Sequence, residues 1–463
     1  MKAYEKINTA DLRYFSEFCA SETCPNEAYA RDEMPIYGEY YPEVLLLPKT
    51  TEDISRIMAH CYQRNIPVTV RGAGTGLCGG AVAKYGGVLL STEKMNKILE
   101  IDQQNLTATV EPGVLLMDFA AEVLTKNLFY PPEPGEKSAT LGGNVMTNAG
   151  GMKAVKYGVT RDYVLGLQAV LPDGRIIELG GKLAKNCSGY SLLHLLIGSE
   201  GTLAIITKII LKLLPKPQRY ITLLVPFVSL QQCIEAVPAI LLADLSPVAV
   251  EFIQKEVILE SEKYLGKTFP DKSSDAYLLL SFDGRSSQET TAICDRAAEV
   301  CLAQGAKDAL FADTSERQND LWDARGSFLE AIKSSTDEMD ECDVVVPRDK
   351  IVAFVTFTAS LQERFGLRLR YFGHAGDGNI HIYICRDGLA ADLWQTRLTS
   401  LMDALYEKSK ELGGNVSGEH GIGHAKIAYL KQAEGPIVIE LLENIKKAFD
   451  PNNILNPGKV VEI

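Results

Sequence analysis

The sequence predicts an α+β protein made of two parts, and three observations carry that reading. Residues 44–112 alternate short strand-like and helix-like patterns. Residues 220–312 hold two strand–helix–strand blocks in series, the pattern of a ferredoxin-like sheet with helices on one face. Three glycine-dense segments lie in the front half, and the stretch 131–151 among them is too long for an idle connector. Length agrees, since 463 residues at about 150 per domain allow roughly three folding units.

Taken in order, 44–47 reads as a strand, 51–65 as a helix, and 68–70 as a strand running into RGAGTGLCGG. Another strand follows at 87–91, then a period-two strand at 106–110 and a helix at 117–125. Residues 131–151 are nearly all turn-formers. Strands at 164–171 and 176–179 flank a Pro-Asp-Gly turn and form a hairpin. A strand at 203–214 closes the region before Pro215 and Pro217. The second part opens with strand 221–226, helix 230–242 and strand 248–253, then strand 277–282, helix 288–303 and strand 309–312. Helices at 315–334, 348–365 and 388–412 follow, with strands at 367–374 and 380–384. The loop GGNVSGEHGIGH, a helix ending at Phe449 and the tail DPNNILNPGK complete the chain. The expected domains are 1–217, a cap at 218–414, and a segment at 415–463 returning to the first.

Composition narrows the class of function. The chain is 46% hydrophobic and 23% charged, with 38 Gly and 20 Pro, which excludes a disordered, collagenous or disulfide-scaffold protein. Against 47 Lys and Arg stand 60 Asp and Glu, a net charge of −13. That balance repels phosphate backbones and anionic lipid, so neither nucleic acid nor a membrane surface is an expected partner. No hydrophobic signal region opens the sequence, and no window is apolar enough for a transmembrane segment. The ten Cys contain no CxxC pair or clustered run, so no zinc ribbon or iron–sulfur site is signalled, and a cytoplasmic location is expected. Histidine is scarce, with 6 in the whole chain.

RGAGTGLCGG (71–80) follows an apolar strand, but its third position is Leu77 where a dinucleotide fingerprint needs Gly, and no Lys-Ser/Thr pair follows as in a P-loop. What remains is a turn dense in backbone N–H groups, a nest suited to a pyrophosphate. The other two glycine-dense segments are 131–158 and 185–207, the latter containing GSEGTL.

The histidines concentrate near the C-terminus. In LRLRYFGHAGDGNIHIYI a two-residue turn at Asp377-Gly378 would set His374 directly opposite His381, with Cβ atoms about 5 Å apart. Ile380, Ile382 and Ile384 would then enter a core on the other face. Such a pair chelates a divalent metal, and Glu419 of SGEHGIGH is the expected third ligand. Zn, Mn and Fe all suit this set. His420 beside it would stay free as a base. His60 and His194 fall on amphipathic helices, where packing or solvation explains them.

The three glycine segments, Tyr157-Gly158 and the closing Asn456-Pro-Gly-Lys459 together resemble the FAD-binding domain of the vanillyl-alcohol-oxidase/p-cresol-methylhydroxylase flavoprotein superfamily. YARDEMP, YPEVLLLPKTTEDI, GHAGDGNIH, SGEHGIGHAK and NPGK narrow this to a likeness to FAD-linked 2-hydroxyacid dehydrogenases, including D-lactate dehydrogenases and glycolate oxidase flavin subunits. The resemblance implies a two-part FAD-binding domain of the p-cresol-methylhydroxylase type with a ferredoxin-like cap. It implies FAD contacts at Arg71, Gly72, Ala73, Gly74, Thr75, Gly76 and Gly79 in the first segment. In the second they fall at Pro134, Ser138, Thr140, Gly142, Gly143, Asn144, Asn148, Gly150, Gly151, Tyr157 and Gly158. Glu200, Gly201, Ile205 and Ile206, with Asn456, complete the set. The glycine loop has no His, and Cys78 is off the usual tethering position, so non-covalent FAD is expected.

The same likeness implies that His374, His381 and Glu419 hold the metal, that His420 is the base and that Arg325 of LWDAR binds the substrate carboxylate. Members acting on long diacids carry a basic residue ahead of a segment like DVVVP, where this chain has Glu341 and Cys342. A small D-2-hydroxyacid is therefore expected, D-lactate before glycolate, oxidised to the 2-oxoacid by hydride transfer to flavin N5. Electrons would pass to an electron-transfer flavoprotein or an iron–sulfur subunit. The alternatives are a D-2-hydroxyglutarate-type dehydrogenase, a flavin-carrying electron-transfer subunit without substrate chemistry, and a colourless metallohydrolase using the His-His-Glu set.

Overall fold

The computed structural model describes residues 3–23 and 25–463. The chain divides into two compact units. One comprises 1–150, 159–216 and 419–463, and the other 151–158 and 217–418. These bounds differ from the expected ones by one residue at 216/217 and more at two other places. The short piece 151–158 belongs with the second unit, and the return to the first comes at Glu419 rather than at residue 415.

The first unit holds two main sheets. Val44–Leu47 and Val68–Arg71 both run parallel to Val88–Ser91, and Ala20–Thr23 adds an antiparallel edge to Val44–Leu47. Parallel strands need a crossover, and helix Thr51–Arg64 supplies it. Thr50 and Asp53 close a capping box at its start, and left-handed Asn65 ends it. Its Ile54, Ile57, Met58 and Cys61 are fully buried against Val44, Leu46, Val68 and Val88. The second sheet is antiparallel and five-stranded, ordered Ile98–Asp102, Thr107–Val110, Ile205–Lys212, Val164–Val170, Ile176–Gly180. The expected hairpin is its last pair. The run 131–151 is not all turn, because Thr140 caps a helix at Leu141–Thr147 by accepting from the Gly143 N–H.

The second unit is built on a seven-stranded antiparallel sheet. Its first four strands in chain order, Arg219–Phe227, Ala249–Gln254, Ala276–Gly284 and Leu310–Ala312, stand in the spatial order fourth, first, third, second. That is the ferredoxin-like order expected from the two strand–helix–strand blocks. Three more strands extend it beyond Ala249–Gln254, in the order Arg368–His374, Asn379–Cys385, Met339–Val345. The helix expected over 230–242 is two, Leu230–Glu235 and Val237–Leu242, with Pro238 unable to donate across the join. Similar breaks split 315–334 at Ser327 and divide the last helix at Gly435-Pro436. No helix among the described residues is long and apolar enough to cross a membrane.

Candidate functional site

In the second unit, strand pairing gathers a set of polar side chains on one face of the extended sheet. Glu251 is the register partner of His374, His374 of Asn379, Phe372 of His381, and His381 of Asp343. Partners across a ladder point to the same face, so Glu251, His374, Asn379, His381, Glu341 and Asp343 share one. Val250, Phe252, Ile380, Ile382 and Ile384 take the other and are buried there. The polar face is itself dry, since Glu251 and Asp343 have no solvent-exposed surface and His374 and His381 very little.

The expected two-residue turn is corrected here. The connection from His374 to Asn379 spans residues 375–378, so His374 faces Asn379, and His381 lies one diagonal step away opposite Phe372. A slip of two residues preserves the face. The two imidazoles still meet edge to face, with centroids 5.2 Å and Nε2 atoms 3.4 Å apart.

Charged neighbours orient these rings. His374 Nδ1 lies 2.6 Å from Glu251 Oε1. A carboxylate oxygen only accepts, so the proton sits on Nδ1 and the Nε2 lone pair is left for a Lewis acid. His381 Nδ1 lies 3.6 Å from Glu341 Oε1 and 3.7 Å from Asp343 Oδ1. The donor chemistry therefore fits a divalent metal. Arg325, in the last turn of helix Ser315–Gly326, sets Nε 2.8 Å and Nη2 2.6 Å from Glu251 Oε2. Its guanidinium lies over the Phe372 ring at 4.5 Å. Burial raises the Glu251 carboxyl, but its contacts with His374 and Arg325 outweigh it and hold the group below its ordinary range. Asp343 accepts from Asn379 Nδ2 at 2.7 Å, Ser417 Oγ at 2.8 Å and the Gly418 N–H at 2.9 Å, which anchors the chain just before Glu419. In the small piece 151–158, Lys156 and Tyr157 both contact the Asp283 carboxylate, and Gly151 and left-handed Gly158 bound a short helix.

In the first unit the glycine loop leaves Val68–Arg71. Among the described residues, the N–H groups of Ala73, Gly74, Thr75, Gly76 and Leu77 donate no hydrogen bond within the protein. A run of open amides fits a diphosphate. The loop is held from outside. Gly79 donates to Asp32 Oδ2 at 2.6 Å, and a Cβ on Gly72 would lie 2.3 Å from Thr140 Oγ1. Gly142 is equally tight against Pro112, Gly150 against the Glu419 carboxylate, and left-handed Asn148 ends the helix that contains Gly143 and Asn144. Pro134 is half-buried, and Ser138 is exposed and turned to Glu136.

Several expected cofactor contacts have other work for their side chains. Arg71 donates to the carbonyls of Arg31 and Ala28, each at 2.9 Å, so its guanidinium braces the loop. Both Glu200 oxygens accept, from Ile422 N and Gly423 N at 2.7 Å each, and Asn456 Nδ2 donates to the carbonyls of Gly80 and Glu200. These residues clamp the returning segment 419–463 onto the glycine loops. Gly201 adjoins Asn456, and the Ile205 and Ile206 side chains are buried in the sheet. Cys78 is buried, with Sγ turned to the Gly421 carbonyl. His420 Nε2 lies 3.6 Å from Glu419 Oε1.

Sequence reasoning missed Glu251, Asp343, Asp32 and His424. Glu251 sits in the apolar run AVEFI, where a lone acid in a buried strand was the available signal. His60 and His194 have structural partners, Asp11 at 2.8 Å and Ser191 at 2.6 Å.

Residues 42–180 match the FAD binding domain family, and 216–460 match the family described as FAD linked oxidases, C-terminal domain. The chain is 47% identical to a D-lactate dehydrogenase of Anaerostipes hadrus, over 99% of this chain and 98% of that one. It is 40% identical to the glycolate oxidase subunit GlcD of Bacillus subtilis, over 93% of this chain and 91% of that one. Among solved structures, p-cresol methylhydroxylase with substrate bound superposes with a TM-score of 0.77 at 19% identity, covering 94% of this chain and 92% of that one. This last likeness supports the fold alone.

Proposed function

The chain belongs to the FAD-linked oxidases, and on that premise we propose that it oxidises a small D-2-hydroxyacid, D-lactate before glycolate, to the 2-oxoacid. The observation that carries this reading is the buried face on which one carboxylate orders a guanidinium and one of two facing imidazoles. FAD, bound without a covalent link, would supply the hydride acceptor, and a divalent metal (Zn, Mn or Fe) would supply Lewis-acid polarisation of the substrate hydroxyl. His374, His381 and Glu419 would hold the metal. Arg325 keeps Nη1 free of Glu251 and would bind the substrate carboxylate through it. His420 would take the hydroxyl proton.

Glu341 and Asp343 are buried acids on the same face, so a second substrate carboxylate would meet negative charge there. A monocarboxylate is favoured over D-2-hydroxyglutarate on that ground. A glycine loop without His, and a Cys78 thiol engaged with Gly421, favour FAD without a tether. Reduced flavin then needs an acceptor, which we assign to an electron-transfer flavoprotein or an iron–sulfur subunit.

An anaerobic absorbance titration tests the reading. D-lactate should bleach the flavin band fastest, glycolate more slowly, and L-lactate and D-2-hydroxyglutarate least. Bleaching by none of them would overturn it and leave a flavin carrier without substrate chemistry. His420→Ala should lose turnover by at least a hundredfold with full flavin content, whereas equal loss of both would make His420 structural.

A further inference from the structure

Glu251 lies at the centre of the buried polar face, yet its residue type is not explained by stability. A carboxylate with no exposed surface, held in the dry interior of the sheet, is costly to desolvate. An apolar side chain of similar volume usually does at least as well in such a place. What an apolar residue cannot do is hold two groups at once. Oε1 takes His374 and Oε2 takes Arg325, so one planar carboxylate fixes an imidazole and a guanidinium relative to each other. The strand ladder fixes Glu251 against His374, and Phe372 fixes the guanidinium plane.

We propose that Glu251 is a positioning residue that sets the spacing between the carboxylate anchor, Arg325, and the metal-binding nitrogen, His374 Nε2. The inference rests on the function proposed above and deepens it. In a 2-hydroxyacid the hydroxyl is on the carbon next to the carboxylate. In a 3-hydroxyacid it is one carbon further. A rigid spacing between the two protein groups selects the first and rejects the second. Glu251 also sets the His374 tautomer, because a carboxylate holds the proton on Nδ1 and makes Nε2 the nitrogen that can take a metal.

Two substitutions separate these effects. Glu251→Gln keeps the shape, but its amide can present oxygen to Arg325 only by presenting N–H to His374 Nδ1. The ring then carries its proton on Nε2, and metal affinity should fall by about 10- to 100-fold. Glu251→Asp keeps the charge and shortens the reach. It should raise KM for D-lactate about tenfold or more with a smaller change in kcat, and should narrow the preference for D-lactate over D-3-hydroxybutyrate. Metal affinity is read by titrating chelated protein with Mn2+ or Zn2+ and measuring bound metal directly, independently of turnover. Unchanged metal affinity in the Gln variant together with an unchanged D-lactate preference in the Asp variant would overturn the proposal. So would loss of the parent's thermal transition in both variants, which would make Glu251 structural. If the parent oxidises no 2-hydroxyacid, the proposed function fails, while the metal titration still reports on the tautomer.

Discussion

The two units build polar sites by opposite means. In the first, the chemistry is in the backbone. Open amides at 73–77, left-handed glycines and side chains such as Arg71, Glu200 and Asn456 spend their hydrogen bonds holding loops in place. In the second, the backbone is regular sheet and the chemistry is in charged side chains stacked across strands. The contrast teaches where each unit is fragile. A loop site fails when its path is blocked. A strand site fails when a charge loses its partner, and the strand itself survives.

The largest effect should come from blocking the path. Gly423 is left-handed at φ 54°, and a Cβ there would lie 1.8 Å from the Cys78 carbonyl oxygen. Neither backbone can yield, because Cys78 O also accepts from His424 N and Gly423 N is held by Glu200. Gly423→Ala should therefore yield protein without flavin, read as loss of the visible band after purification. Normal flavin content in this variant would break the comparison.

A middle-sized effect is expected from removing a charge in the second unit. Asp343→Ala removes the carboxylate that accepts from Asn379, Ser417 and Gly418, while Asn379 Nδ2 keeps the Val344 carbonyl. The cost should be about 3 kcal/mol in that unit's unfolding, with the flavin band retained. The released 417–418 segment should also weaken metal binding about tenfold. Differential scanning calorimetry beside a metal titration checks both. Loss of flavin in step with metal would erase the distinction between the units.

How much of this was legible in sequence follows the same contrast. The ferredoxin-like strand order could be read because two strand–helix–strand blocks carry long-period hydrophobic patterns. The strand Met339–Val345 could not, since DECDVV places acids where a buried strand should show apolar residues. Of those acids, Glu341 and Asp343 line the buried polar face of the sheet beside His381. Period-two parity put His374 and His381 on one face, but the number of residues in a turn is not encoded in parity, and the register came out two residues away. In the first unit the glycines announced close approach without saying what approached. Asp32, His424 and Thr140 are brought to the loop by folding alone.

The smallest effect concerns that loop and separates two opposed titrations. Gly79 lies between Asp32, whose carboxyl burial pushes up to about 6, and His424, whose imidazole burial pushes down to about 4. Both shifts report a dry environment that favours the neutral form. Their signs in stability are opposite. For His424, between pH 6.5 and about 4 the unfolded chain binds the proton and the folded one does not, so its contribution is lost as pH falls through that window. For Asp32, between about 6 and 3.8 the folded chain holds the proton, so its contribution grows as pH falls. The two oppose each other in the parent. With solvent screening allowed for, His424→Gln should gain about 1–2 kcal/mol relative to the parent between pH 7 and 4, and Asp32→Asn should lose about as much. Urea unfolding at several pH values measures both slopes. Parallel slopes in the two variants would show that the loop is wet, and that the first unit's site is held by solvent-exposed contacts after all.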